Sequence, residues 1–100
     1  MNAYEILAKS TKLGAITRNF KGSLDEFSNS LKGEIKTIEY SISSINDWEG
    51  ELYDGFREKF NESLSELKQL AQKSDVISEK LDRSIVKYDM IIEKLKKASQ

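Results

Sequence analysis

The sequence contains no cysteine, no histidine and no proline. Without cysteine there are no disulfides, no thiolate metal sites and no thiol nucleophile. Without histidine, imidazole general-base catalysis and histidine metal ligation are both excluded. Without proline, nothing of that kind interrupts a helix. Charge of one sign is also lacking. Sixteen Lys and Arg stand against 17 Asp and Glu, for a formal net charge of −1. A nucleic-acid binder needs a basic stripe to neutralise phosphates, so nucleic acid is not an expected partner. No apolar run approaches the roughly 20 residues that span a bilayer. The first twenty residues carry Glu5, Lys9, Lys12 and Arg18, so no uninterrupted core of a cleavable signal peptide is expected.

What remains is a helix-forming alphabet of Leu, Ile, Glu, Lys and Ser over 100 residues, enough for one domain over 1–100. Apolar residues recur at Ile6, Leu13, Ile16, Phe20, Leu24, Phe27, Leu31, Ile35, Ile38, Ile42 and Ile45. From Leu13 onward every step is three or four. That spacing predicts an amphipathic helix over about 3–45, roughly 64 Å long. Gly14, Gly22 and Gly33 weaken it by about 1 kcal/mol each relative to alanine. Ser23-Leu24-Asp25-Glu26 also has the form of a capping box. A helix start at Leu24 is therefore an alternative, although the apolar phase passes through without a slip.

The second half repeats the pattern at Leu52, Phe56, Phe60, Leu64, Leu67, Leu70, Ser74, Ile77, Leu81, Ile85, Tyr88, Ile92 and Leu95. It predicts a helix over about 51–97, roughly 70 Å long. Lys94, Lys96 and Lys97 suit its last turn, where cations oppose the helix dipole. Two helices of similar length joined by a break at 46–50 predict an all-α antiparallel hairpin. In the break, Asn46 or Asp47 is placed to cap the second helix, and Gly50 permits an unusual backbone angle. The second stripe is doubled at Val76 with Ile77, Ile85 with Val86, and Ile91 with Ile92. A hairpin needs only a narrow seam, so these positions, with Tyr88, are the candidate partner interface. The expected assembly is a dimer forming a four-helix bundle, with either an identical or a related partner.

Chemistry is absent from this pattern. No Gly-rich phosphate loop is present, and no oxygen-ligand spacing of a calcium loop occurs near Asn46–Glu51. The serines and the Asp25-Glu26 pair are expected on mostly water-facing positions of helices. A hairpin offers no pocket to separate the pKa values of two carboxylates. The expectation is a protein without catalysis and without a cofactor. The polar faces mix both signs, whereas membrane-surface helices favour basic ones.

Trp48 is the sole tryptophan and stands at mid-chain in Asp47-Trp48-Glu49-Gly50-Glu51-Leu52-Tyr53-Asp54-Gly55-Phe56. Read physically, it is a plug for one end of a narrow core. The combination of chain length, a central Trp-X-Gly turn, a long amphipathic helix on each flank and Phe56 at helical spacing resembles the WXG superfamily. These are small helical-hairpin proteins of type VII secretion systems. The resemblance covers the whole chain as architecture and about residues 47–60 as identity. It implies a four-helix bundle as homodimer or heterodimer. It also implies export by a type VII secretion ATPase without a cleavable signal, mainly in Gram-positive bacteria, and a role as a secreted virulence factor or as a partner delivering a larger toxin. Trp48 and Gly50 are the motif residues that it carries over.

One family feature is missing. The common tail motif is Tyr followed four residues later by an acidic residue, but Tyr88 is followed by Ile92, with Glu93 one position late. The Phe-X-X-X-Asp form is absent as well. This departure favours a partner subunit, bound to the helical N-terminal domain of an LXG-type toxin, over an autonomous export substrate. A cytoplasmic helical adaptor and a membrane-active amphipathic protein are the alternatives.

Overall fold

The computed structural model describes residues 2–45 and 50–98, with side chains at 2–44, 50 and 54–98. It is an all-α antiparallel two-helix hairpin of α1 (Ala3–Ile45) and α2 (Glu51–Ala98). No break occurs at Gly22 or Ser23, so α1 is one helix and the Ser23–Glu26 sequence is not a helix start. Packing along the helix outweighs a few unfavourable propensities of about 1 kcal/mol each.

Both helix starts have a local cause. The Asn2 side-chain oxygen accepts from the Glu5 backbone N–H at 2.8 Å, while the Asn2 carbonyl accepts from the Ile6 N–H at 3.1 Å. Asn2 is thus the N-cap of α1, satisfying a donor that the first turn would leave unpaired. At α2 the Gly50 carbonyl accepts from the Asp54 N–H at 3.0 Å, which makes Gly50 the entry residue. Its φ of 124° lies where side-chain-bearing residues are strained. Asn46, Asp47 and Trp48, the expected cap candidates and plug, lie outside the described residues.

Contacts divide the chain into two compact units. The first comprises Met1–Asp25 with Val76–Gln100, and the second Glu26–Asp75. In the first unit, Leu7, Ser10, Gly14, Thr17, Lys21 and Leu24 of α1, with Asp25 at the seam edge, are the buried or half-buried positions. Across from them Ser78, Leu81, Ile85, Tyr88, Ile92 and Leu95 of α2 are half-buried. In the second unit, Ser28, Leu31, Ile35, Ile38 and Ile42 of α1 and Leu64, Leu67, Ala71 and Ser74 of α2 are buried or half-buried. Steps of three and four run throughout, as coiled-coil packing requires.

This seam differs from the sequence expectation along much of α1 and parts of α2. Leu13, Ile16, Phe20 and Phe27 are exposed, and their places facing α2 are taken by Ser10, Gly14, Thr17, Lys21 and Ser28. In α2, Phe56, Phe60, Leu70 and Ile77 are exposed, and Ala71 and Ser78 stand closer to the seam. The expectation of solvent-facing serines fails at Ser10 and Ser28, which are buried, whereas Ser74, expected on the stripe of the second helix, is buried there. The reason is steric: two helices approach most closely where side chains are small, and the larger residues are displaced to the side.

The apolar core is correspondingly thin. Among the described residues only Ile35, at 7% exposure, and Ala71, at 5%, are buried hydrophobics, and no large side chain is fully enclosed. Replacing Asn2 by alanine should cost about 1 kcal/mol through loss of the cap. Gly50→Ala should cost about 1–3 kcal/mol through backbone strain. Chemical denaturation followed by helical circular dichroism measures both. A Gly50→Ala protein as stable as wild type would contradict the strained entry.

Candidate functional site

The geometry on either side of the seam gives the hairpin two unlike flanks. Residues four positions after every second seam residue fall on one flank. In the first unit these are Arg18 and Asp25 on α1, with Asp82 and Asp89 on α2. Arg18 donates to both Asp89 carboxylate oxygens. Lys21 donates to Asp25 at 2.6 Å and stands 3.7 Å from Asp82. Ser78 donates its hydroxyl to Asp25 at 2.6 Å. Asp25 is therefore not a free water-facing carboxylate but the acceptor of a seam-edge network.

The second unit repeats the arrangement with its own residues. Lys32 stands 3.0 Å from Asp75, which also accepts from the buried Ser28 hydroxyl at 3.0 Å. Lys68 stands 3.8 Å from Glu39. Exposed pairs of this kind contribute little stability individually, about 0.2–1 kcal/mol. Their consistent placement fixes the register, because each links a residue advancing along α1 to one receding along α2.

The opposite flank is apolar. Residues immediately preceding seam positions occupy it: Ile6, Leu13 and Phe20 on α1, with Ile77 and Ile91 on α2, in the first unit. In an antiparallel pair these positions fall on the same side of the seam. Ile16, three residues after Leu13 and four before Phe20, widens this face. Phe20 is 56% exposed, Ile16 53% and Leu13 43%. The second unit carries Phe27, Phe56 and Leu70 in the corresponding positions, all exposed. These exposed apolar positions make the flank the candidate interaction surface.

The candidate interface residues named from the sequence separate into two groups. Ile85, Tyr88 and Ile92 are half-buried at seam positions. Val76, Ile77, Val86 and Ile91 are exposed. Of these, Ile77 and Ile91 lie on the apolar flank, and Val76 and Val86 lie off it. Sequence reasoning missed Ile6, Leu13, Ile16 and Phe20 as surface residues, since it assigned them to the intramolecular seam. A signal was present: Leu7, Ser10, Gly14, Thr17, Lys21 and Leu24 form a second row with the same three-four spacing, which hydrophobicity alone does not pick out.

Gly14 shows how closely the helices meet. A β-carbon built on it would lie 3.5 Å from the Tyr88 β-carbon, an ordinary contact distance. The described residues include no cluster of three acidic, histidine or cysteine side chains able to hold a metal. No described helix is long and apolar enough to cross a membrane. No protein-family model, curated protein or solved structure matches the chain.

Two outcomes follow from this geometry. Gly14→Ala should be neutral or stabilising by up to about 1 kcal/mol, whereas Gly14→Leu should destabilise by about 1–3 kcal/mol through overpacking against Tyr88. Denaturation curves of the two variants give the comparison, and equal stability would refute close approach here. Secondly, the hydrogen bond from Lys21 to Asp25, together with the charges of Asp25 and Asp82, raises the Lys21 pKa above 10.5 despite opposing desolvation. A raised lysine pKa adds stability that is complete below the unfolded value and disappears as pH rises through the folded value. Stability measured across pH 10–12 should therefore fall less steeply for Lys21→Gln than for wild type.

Proposed function

We propose that this chain is a non-enzymatic helical partner protein of a type VII secretion system, belonging to the WXG superfamily. It pairs with a second helical protein into a four-helix bundle and assists the export of a larger cargo such as an LXG-type toxin. The observation that carries the reading is the exposed apolar flank on a hairpin whose described seam encloses no large side chain fully. A two-helix protein with that surface gains stability by completing its core with a partner's helices.

The central Trp48-Glu49-Gly50 supports the family, as do chain length and the long helix on either side of it. The strained glycine that opens α2 suits the third residue of that motif. Trp48 is the residue proposed to close one end of the bundle or to contact the secretion ATPase. The absent acidic residue four places after Tyr88 supports a chain that travels with, or presents, a cargo bearing the export signal. The proposed location is the cytoplasm before export and the medium afterwards, in a Gram-positive bacterium.

Export is tested by expressing the chain with its neighbouring gene products in a type VII-competent strain and in one lacking the secretion ATPase. The protein or its cargo should reach the medium only when the ATPase is present. Trp48→Ala should reduce export or pairing about tenfold or more, in line with the 3–5 kcal/mol typical of deleting a buried tryptophan. Export that is independent of the ATPase, or unaffected by Trp48→Ala with pairing intact, counts against the proposal. A cytoplasmic adaptor would leave neither chain nor cargo in the medium.

A further inference from the structure

We infer that the apolar flank of the first unit receives a helix bordered by carboxylates on one edge, and not a second copy of this chain. The inference rests on the reading of the chain as a helix-binding partner, but not on secretion. Lys80, Lys87 and Lys94 recur every seven residues along α2. Lys80 lies three residues after Ile77, Lys87 four before Ile91 and Lys94 three after Ile91, so each is a helical neighbour of an apolar-flank position. They form a row along the outer border of the face, and Lys87 and Lys94 line a shallow surface depression with Met90 and Ile91.

The charge arrangement decides the occupant. On the far flank Arg18 and Lys21 are satisfied by Asp89, Asp25 and Asp82. Lys80, Lys87 and Lys94 are exposed and make no ion pair with any described residue. The matching border on α1 carries Lys9, Ile16 and Ser23, with no carboxylate. A second copy laid face to face would therefore set the lysine row against another lysine row or against this uncharged and basic border. Like charges brought together across an interface are repulsive, and complementary ones select the partner. A helix with an apolar stripe and Asp or Glu along one edge satisfies both features. An anionic membrane fits less well, because interfacial helices carry cations over the whole polar face and here only one border is basic.

The test uses the full-length chain and two synthetic amphipathic helical peptides of about four heptads, long enough to hold helical structure. Both share one leucine stripe; one has glutamate along one edge and the other has lysine there. In fluorescence anisotropy at low salt the glutamate-edged peptide should bind about tenfold or more tightly, with the preference shrinking at high salt. The triple variant Lys80→Glu, Lys87→Glu and Lys94→Glu should reverse the preference. Leu13→Ser with Phe20→Ser should lose both peptides while helical circular dichroism is retained, since both side chains are exposed. Equal binding of the two peptides overturns the inference. So does a salt-insensitive homodimer in sedimentation that blocks peptide binding, or lysine-dependent binding to phosphatidylglycerol vesicles with no peptide preference. Failure of export with intact peptide selectivity would remove the secretion proposal and leave this one standing.

Discussion

Close approach of two helices over small side chains is the constraint on which the rest of this structure depends. Ser10, Gly14 and Ser28 on α1, and Ala71, Ser74 and Ser78 on α2, occupy positions that a wider pair would fill with leucine. Small residues let the backbones draw together, but they bury little apolar area. The hydrophobic gain of the isolated hairpin is consequently small beside the entropy of ordering its chain. The larger apolar residues are pushed to one side, where their burial requires something outside the hairpin.

Electrostatics sharpens this division. The flank that carries Arg18, Asp25, Asp82 and Asp89 is self-satisfied, with each charge meeting a partner across the seam. The same holds separately for Lys32, Asp75, Lys68 and Glu39 in the second unit. These pairs stabilise weakly but specify register and leave that side suited to water. The opposite flank has no such internal satisfaction. Its exposed apolar centre is bordered by Lys80, Lys87 and Lys94, which make no ion pair among the described residues. The proposed function is accordingly association, with selectivity carried by charge at the edge and affinity by apolar burial at the centre.

Much of the fold was legible from the residues. Three-four spacing on both sides of a central break implied two helices and their antiparallel pairing, and the structure has them at nearly the expected bounds. Continuous phase through Gly22 implied one first helix. Less legible was which of two adjacent rows faces inward. Leu13 and Gly14 differ by one position, or about 100° around the helix, and hydrophobicity favours Leu13. Only the distance between the helices decides for Gly14. The doubled stripe at Val76–Ile77, Ile85–Val86 and Ile91–Ile92 contained Ile77 and Ile91 of the apolar flank, but Val76 and Val86 lie off it, and the counterpart on α1 was hidden inside the stripe assigned to the seam.

By itself, the sequence determined that this protein is helical, that it turns once near Gly50, and that it lacks the side chains for thiol and imidazole chemistry. Those properties follow from local geometry and from composition, which no partner helix alters. Tertiary structure alone decided that Ser10, Gly14 and Ser28 face α2 while Leu13 and Phe20 face outward. It also decided that the acidic residues of the first unit's seam edge are paired, while Lys80, Lys87 and Lys94 of α2's outer border make no ion pair among the described residues. The physical reason is that facing and pairing depend on how near the second helix lies, a quantity that no residue carries on its own.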